Sequence, residues 1–308
     1  RPIMKLVTYD DGTDNEIAGI LTPDETGVIP LASIEPRFAS LQTFIEAAEG
    51  GEMAGANALL DQSPTATPLT HVRLLAPLPR PVQIRDVLCF LDHMRNAGRL
   101  AMQMQGGNPD EYVLPPVFEQ APRYYKANRF GVIGTEQDVL WPEGCNMLDY
   151  ELELGIVVGK QGKNISREEA RDYIFGYTIF NDVSARDIQI DEMVSGLGPA
   201  KGKDFDTGNV LGPCIVTADE VNPNDMTMIA RLNGEEISRG NTNQMDHKVE
   251  DILVHVSRNE TIYPGEILGS GTVPLGCLME HGRSLNPGDQ VELEITGIGV
   301  LRNTFVRA

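Results

Sequence analysis

Residues 149–160 read DYELELGIVVGK, and this stretch decides the fold prediction. Polar and apolar side chains alternate along it, so a strand would place Leu152 and Leu154 on one face. Glu151 and Glu153 then share the other face. Two neighbouring carboxylates in a largely apolar run repel each other, and this is costly unless a cation or a strong donor neutralises them. The pattern therefore favours a strand at a metal site.

A second stretch, GYTIFNDVSARDIQ at 176–189, supplies a third carboxylate, Asp182, at the end of an apolar run. All-oxygen ligands with no Cys or His nearby favour a hard divalent ion such as Mg²⁺, with Mn²⁺ or Ca²⁺ as substitutes. In the alternative, the two glutamates form the solvated face of an edge strand and are balanced by a nearby cation: Lys160, Lys163 or Arg186. Spacing alone does not separate these two interpretations.

The overall composition excludes several classes of function. The 308 residues carry a formal net charge of −20, which argues against nucleic-acid or acidic-membrane binding, because both need a basic face. The chain has no run of roughly 18 apolar residues and no apolar signal-peptide core, so we expect a soluble protein that is not secreted. Its cysteines are far apart and predict reduced thiols of a cytoplasmic protein: Cys89, Cys145, Cys214 and Cys277.

The chain divides best at ProLeuProArgPro, residues 77–81. Before it, residues 5–34 read as short strands between acidic turns. Four apolar residues then mark one face of a helix that is predicted to end near Glu49: Leu41, Phe44, Ile45 and Ala48. We therefore predict a small N-terminal α+β accessory domain at 1–77 and a larger domain at 78–308.

The larger domain is predicted to be mixed α/β and mostly β. A capping box at 166–169 and an apolar face at 249–256 predict two helices. The Met-, Gly- and Pro-rich stretch between His93 and Asn128 has weak periodicity and is typical of an active-site lid. Asn233-Gly234 predicts a hairpin turn, and the candidate strands are 148–158, 174–182, 214–217, 227–232, 236–238, 290–295 and 299–305.

Four blocks resemble the fumarylacetoacetate hydrolase family in sequence and in order, over about residues 78–308. Two are the stretches quoted above, and the others are GPAKGKDFDTGNVLGP at 198–213 and GDQVELEITGIGVLRN at 288–303. The resemblance implies a β-roll catalytic domain, a homodimer and a divalent metal, usually Mg²⁺. It assigns the metal ligands residue by residue to Glu151, Glu153 and Asp182.

The resemblance extends to the carbon–carbon bond hydrolases of the family. Their metal-binding Asp precedes a catalytic His by seven residues, which implies Asp86 and His93 here. Their His-orienting Glu follows a Ser-Gly-Thr motif, which implies Glu280. Shorter decarboxylase and isomerase members instead carry a Glu three residues after the His, a position occupied here by Asn96. We therefore expect the chain to lie closer to the hydrolases.

The family blocks imply further site residues. Lys203 matches the active-site Lys that protonates or stabilises developing charge. Substrate contacts are implied at five positions: Gln189, Arg186, Gly271, Thr272 and Tyr125. Arg186 has a structural alternative, which is to hold the acidic cluster together, and Tyr124 competes for the last position. The family's lid arginine has no clear counterpart, although Arg95 and Arg99 lie nearby.

These residues favour a metal-dependent hydrolase that cleaves a carbon–carbon bond in a 1,3-diketo acid or acylpyruvate, such as fumarylacetoacetate or fumarylpyruvate. His93, oriented by Glu280, would activate water, and the metal would stabilise an enolate leaving group. The alternative is a decarboxylase of a 2-oxo acid such as oxaloacetate, or a 2-hydroxydienoate keto–enol isomerase. A third hypothesis is a metal-stabilised binding protein without turnover. The predicted partner is a small anionic diketo or oxo acid.

Overall fold

The computed structural model describes residues 3–48, 52–62 and 65–307. The predicted N-terminal strands and helix are present, and Ser40 caps the helix by accepting a hydrogen bond from the Thr43 N–H. The predicted helix end near Glu49 lies outside the described residues. The elements of this segment are β1 Lys5–Asp10, β2 Ile17–Leu21, β3 Gly27–Pro30, α1 Leu41–Ala47, α2 Glu52–Asp61, β4 Thr67–Pro68 and β5 Arg73–Leu74.

The rest of the described chain is mostly β, as predicted. The strands are β6 Ile84–Leu88, β7 Arg123–Ala127, β8 Val132–Ile133, β9 Val139–Leu140, β10 Leu148–Asp149, β11 Leu152–Val158, β12 Ile174–Asp182, β13 Ser184–Ala185, β14 Asn209–Thr217, β15 Thr227–Leu232, β16 Glu235–Asn241, β17 Ile267–Gly269, β18 Gln290–Ile295 and β19 Gly299–Val306. The helices are α3 Leu91–Met104, α4 Val117–Gln120, α5 Arg186–Met193 and α6 Val249–Val256.

Three predicted features differ from the structure. The predicted strand at 148–158 is divided into β10 and β11, and Glu151 lies between them. The capping box at 166–169 forms its Ser166–Glu169 hydrogen bond, at 2.8 Å, but only a short 3₁₀ helix follows, at Ala170–Tyr173. The predicted lid begins as a regular helix, α3, although sequence periodicity there is weak. Ala97, Leu100 and Met104 of α3 do lie at helical spacing, but this pattern covers only the first part of the stretch.

One large sheet crosses the predicted domain boundary. Its strands lie in the order β4-β3-β2-β1-β14-β12-β11-β17-β6-β7, with β5 beside β1 and β8 beside β14. Strand β1 pairs antiparallel with β14, and Leu6 lies opposite Ile215. The N-terminal strands therefore extend the sheet that carries the predicted metal ligands. The division into 1–77 and 78–308 stays a prediction.

Strand β11 lies in the middle of this sheet, between β12 and β17, and all seven of its residues are buried. The alternative of a solvated edge strand is therefore wrong. Burial of both faces explains the apolar run Gly155–Val158, because each face packs against other parts of the core. The acidic residues are confined to the start of the strand, where they meet the site.

A second sheet, in the order β16-β15-β18-β19-β9, completes the core. The predicted Asn233-Gly234 turn joins β15 to β16, and both residues have positive φ, 50° and 83°. Such angles match the two-residue hairpin turns that favour Asn-Gly. Met228 and Leu293 of this sheet are buried in one cluster with Leu154. Among the described residues, every helix is too short or too polar to cross a membrane.

Candidate active site

Four buried carboxylates lie together at one end of the large sheet: Asp86, Glu151, Glu153 and Asp182. Each offers an oxygen within 4.8 Å of the others. The strand pairing explains the cluster. The Asp182 N–H donates to the Glu151 carbonyl across β12 and β11, and Asp86 on β6 lies opposite Gly269 on β17. The four carboxylates implied as metal ligands therefore lie together, and their role as ligands stays a prediction.

The cluster fits a divalent metal. Asp86 Oδ1 and Asp182 Oδ1 are buried without a hydrogen-bond partner, which is costly for a carboxylate unless a cation is supplied. Burial, together with the neighbouring carboxylates, raises the pKa of Glu153 and Asp182 well above its usual value. A Cβ atom on Gly269 would lie 2.6 Å from Glu153 Oε2, so the glycine leaves the site open. Clustered oxygen ligands of this kind suit Mg²⁺, Mn²⁺ or Ca²⁺.

Lys203 is fully buried beside the cluster. Its Nζ lies 2.6 Å from Glu151 Oε1 and 2.7 Å from Asp182 Oδ2. Burial by itself would raise the pKa of Glu151, but Lys203 and Arg186 outweigh it and hold that pKa far below its usual value. Although burial alone would lower the pKa of Lys203, Asp182 and Glu151 raise it, which favours the ammonium form.

Arg186 stands at the start of α5 and joins the cluster to its surroundings. Its Nη2 lies 2.9 Å from Asp149 Oδ2 and 3.0 Å from Glu151 Oε2, and its Nη1 donates to Gln189 Oε1 at 3.2 Å. Asp149 also accepts the backbone N–H groups of Leu278 and Met279. These bonds favour the structural role of Arg186, which is to fix Glu151 and orient Gln189.

His93 and Glu280 form the predicted pair. His93 Nδ1 lies 2.7 Å from Glu280 Oε1, and Nε2 points to the cluster, 3.9 Å from Glu151 Oε2. Glu280 Oε2 accepts from Asn96 Nδ2 at 2.8 Å and from the Leu275 N–H at 2.9 Å. His93 is buried and lies on α3. A Glu280 carboxylate on Nδ1–H leaves Nε2 free to accept a proton.

A cavity of about 410 Å³ opens onto this cluster. Its polar end is lined by eight predicted site residues: His93, Tyr125, Glu151, Glu153, Arg186, Gln189, Lys203 and Thr272. Asp86, Asp182 and Glu280 lie behind them. The Gly271 N–H donates to Glu153 Oε2 at 3.2 Å, so in this structure Gly271 positions a carboxylate of the cluster.

Tyr125 is the tyrosine at the cluster. Its hydroxyl lies 2.8 Å from Asp86 Oδ2 and also contacts Asp182. The Tyr124 hydroxyl instead faces Glu260, at 3.5 Å. Because these tyrosines are neighbours on β7, their side chains point to opposite faces of the strand. Only the pairing of β7 with β6 in the folded structure shows that Tyr125, and not Tyr124, points toward the carboxylate cluster.

The lid arginine predicted near α3 is not in the cavity wall. Arg95 pairs with Asp92 at 2.8 Å and with Glu119 at 3.4 Å, and Arg99 is exposed outside the cavity. Arg123, two residues before the cluster tyrosine on β7, does line the cavity. Arg123 and Tyr125 are two residues apart, so a strand places both side chains on one face, and this spacing could have pointed to Arg123 from the sequence. The roles of Asp149 and Gly269 carried no comparable signal in the sequence.

Comparisons with known proteins agree with this class of metal-dependent site on a mostly β fold. The model of the fumarylacetoacetate (FAA) hydrolase C-terminal family matches residues 83–306. The chain therefore belongs to the fumarylacetoacetate hydrolase family. It is 34% identical over 292 residues to the mitochondrial oxaloacetate tautomerase FAHD2A of Homo sapiens, which covers 94% of this chain and 87% of the relative.

Two solved structures share the fold. The fumarylacetoacetate hydrolase of the psychrophilic Exiguobacterium antarcticum is 29% identical, with a TM-score of 0.77 and coverage of 99% of this chain and 100% of that one. The maleylpyruvate hydrolase of Sphingobium sp. SYK-6, solved with manganese(II) and pyruvate, is 21% identical, with a TM-score of 0.76 and the same coverage.

These comparisons confirm the predicted family and fold class. They do not support the narrower expectation that the chain lies closer to the carbon–carbon bond hydrolases, because its relatives include oxaloacetate tautomerases along nearly the whole chain. The intervals that imply Asp86, His93 and Glu280, together with Asn96, therefore did not separate the subgroups of the family. The chain is an enzyme of this family, and its reaction is a separate question.

Proposed function

We propose that the chain is a divalent-metal-dependent keto–enol tautomerase of 2-oxo acids, with oxaloacetate as the first substrate to test. The observation that carries the proposal is the oriented pair of His93 and Glu280, whose free ring nitrogen faces the carboxylate cluster. Tautomerisation needs one base near a polarised carbonyl, and it consumes no water. The relatives named as oxaloacetate tautomerases support the same reaction.

The proposed ligands are Asp86, Glu151, Glu153 and Asp182, and the proposed metal is Mg²⁺ or Mn²⁺. Bound there, a divalent cation supplies positive charge that lowers the energy of an enolate next to a carboxylate. The protein's own contribution is orientation. Arg186 holds Glu151 in place, and the buried strands keep the four carboxylates together.

His93 Nε2 takes a proton from C3 of the substrate in the proposed reaction. The C–H electron pair becomes the C2–C3 double bond, and the carbonyl pair moves onto the C2 oxygen. The protonated ring then returns a proton to that oxygen, while Lys203 donates a hydrogen bond to it. One C–H bond breaks and one O–H bond forms, without oxidation or reduction. Glu280 stabilises the imidazolium between the two transfers.

Replacement of the base tests the proposal. We expect His93→Ala to lower kcat for oxaloacetate tautomerisation by about 10²–10⁴-fold, the usual contribution of a positioned general base. The decay of enol absorbance with Mg²⁺ or Mn²⁺ present measures the rate. His71→Ala removes an exposed histidine outside the cavity and is the matched control. Wild-type rates in His93→Ala would refute the scheme.

Hydrolysis of an acylpyruvate or 1,3-diketo acid is the second candidate. The same His93–Glu280 pair could activate water, and the Exiguobacterium antarcticum hydrolase resembles the chain along its whole length. A panel of acylpyruvates, fumarylpyruvate, fumarylacetoacetate and oxaloacetate separates the reactions by product. Hydrolysis yields two fragments, decarboxylation releases CO₂, and tautomerisation leaves the carbon skeleton intact.

A further inference from the structure

The outer part of the active-site cavity is apolar. Beyond the carboxylate end, its wall is formed mainly by methionine, leucine, isoleucine, alanine and phenylalanine side chains. Ligand cavities of about 300–1,000 Å³ usually enclose most of their ligand, and this one measures about 410 Å³. A short diacid that fills only the polar end would leave this apolar wall in contact with water.

One face of α3 connects the two ends of the cavity. His93 lies at its inner end, and Ala97, Leu100 and Met104 follow at helical spacing along the same wall. The eleven positions from His93 to Met104 correspond to a rise of about 16 Å. The catalytic residue and the outer apolar wall therefore belong to one continuous surface.

The opposite wall is apolar as well. Ile190 and Met193 of α5 and Phe118 of α4 complete it. Met104, Met193 and Ile190 are 58%, 49% and 44% exposed, which is high for large apolar side chains beside a catalytic cavity. Methionine side chains adapt to ligands of varied shape. A ligand that follows this wall would remove it from water.

We propose that the substrate of this chain is a 2-oxo acid whose far end is an alkyl or aryl tail, and that α3, α4 and α5 bind this tail. The inference rests on the proposed function, because the 2-oxo acid head occupies the carboxylate cluster. The tail lies along the face of α3 from Ala97 to Met104. It selects among 2-oxo acids and takes no part in proton transfer.

Charge in the outer wall supports a tail over a second carboxylate. Outside the polar end, Arg123 is the one charged residue that lines the cavity in the described part of the chain. Its Nε already donates to the Val117 carbonyl at 2.9 Å. A distal carboxylate would therefore meet one cation among many apolar groups, and its desolvation would be poorly compensated.

A binding series on the Mn²⁺-loaded protein tests the tail. Titration calorimetry would compare 2-oxobutanoate, 2-oxohexanoate and 2-oxooctanoate with 2-oxosuberate, the diacid of the same length as the last. We expect Kd to fall about fourfold for each added methylene, the change expected when one CH₂ group leaves water. We also expect 2-oxooctanoate to bind at least tenfold more tightly than 2-oxosuberate.

A lysine introduced into the apolar wall is compared with a lysine introduced outside the cavity. Met104→Lys should flatten the dependence of Kd on tail length, whereas Leu140→Lys, at an exposed leucine outside the cavity, should preserve it. Thermal melts of both variants would establish whether they are folded. Ile190→Lys at the opposite wall repeats the test from α5 if Met104→Lys is unstable.

Two outcomes would contradict the proposal that the outer wall binds an apolar tail. One is a Kd independent of length, and the other is tighter binding of 2-oxosuberate that Arg123→Gln abolishes. The proposed function fails separately, if wild-type protein tautomerises neither oxaloacetate nor any member of the series, or if His93→Ala is fully active. Binding is measured without turnover, so the two failures are distinguishable.

Discussion

At the scale of single residues, Asn96 explains how one carboxylate serves His93. Glu280 comes from a distant part of the chain, and its two oxygens accept four hydrogen bonds, from His93, Asn96, Cys277 and the Leu275 N–H. Asn96 lies one turn from His93 on α3, where some family members would place the carboxylate itself. The amide here turns Glu280 so that Oε1 faces the ring.

Loss of this amide should misorient the base. We expect Asn96→Leu to lower kcat about tenfold with a smaller change in KM, because a hydrogen bond to a charged group is worth about 1.5–3 kcal/mol. The pH profile of kcat should shift as well, since Glu280 would hold the imidazolium less firmly. Gln103→Leu, also on α3 and exposed, is the control. An unchanged pH profile in Asn96→Leu would contradict a positioning role.

At the scale of elements, the site depends on how β17 brings β6 and β11 together. Gly269 is the point of contact, with Asp86 opposite it on β6 and Gly155 opposite it on β11. A Cβ atom there would lie 2.6 Å from Glu153 Oε2 and 2.9 Å from Asp86 Oδ1. Separations below 3 Å force one of the groups to move, and both groups are proposed ligands.

Gly269→Ala should therefore weaken metal binding at least tenfold. Titration calorimetry with Mn²⁺ measures the affinity directly, without reference to any substrate. Gly155→Ala is the matched control, because its Cβ would press on the Thr178 side chain at 2.8 Å and leave the carboxylates alone. Both variants should lose stability, and only the first should lose metal affinity. Equal affinities in the two variants would show that Gly269 is needed for packing alone.

At the scale of the whole molecule, four buried carboxylates are a cost to folding that a bound cation offsets. A ligand at 100 times its Kd stabilises the folded state by about 2.7 kcal/mol, which for a chain of this size is roughly 5 °C in Tm. We expect Mg²⁺ or Mn²⁺ to raise Tm by about this amount relative to EDTA. Differential scanning calorimetry checks it.

One variant distinguishes metal binding at the carboxylate cluster from nonspecific binding to the acidic surface. Glu153→Gln changes a net charge of −20 by only one unit but removes a proposed ligand. In EDTA its Tm should equal or exceed that of the wild type, because repulsion inside the cluster is relieved. With Mg²⁺ present its Tm should rise by less. A full metal response in this variant would place the binding elsewhere.

The homodimer and the cytoplasmic location stay predictions, and size-exclusion chromatography tests the first.

The acidic cluster was predictable from alternation along the chain together with the family resemblance. Glu153 lies on β11 and Glu151 directly precedes that strand, and the family blocks implied Asp86, His93 and Glu280 at definite intervals. The structure brings these residues into one site. The apolar outer wall was not predictable, since Met104 and Met193 belong to different helices and show no joint pattern along the chain. The narrower prediction of a hydrolase relied on the intervals that imply Asp86, His93 and Glu280 and on Asn96, and it was not supported.

The sequence by itself determined the mostly β fold, the family and the acidic cluster, because strand periodicity and ordered motifs are local properties of the chain. Only the tertiary structure decided which tyrosine faces the cluster, that Arg186 bonds to Asp149, and that Gly269 keeps the site open. It also showed that Leu152–Val158, within DYELELGIVVGK, forms a central strand. These facts depend on pairing between strands that are distant in sequence. Local periodicity carries no information about which side chains such pairing brings together.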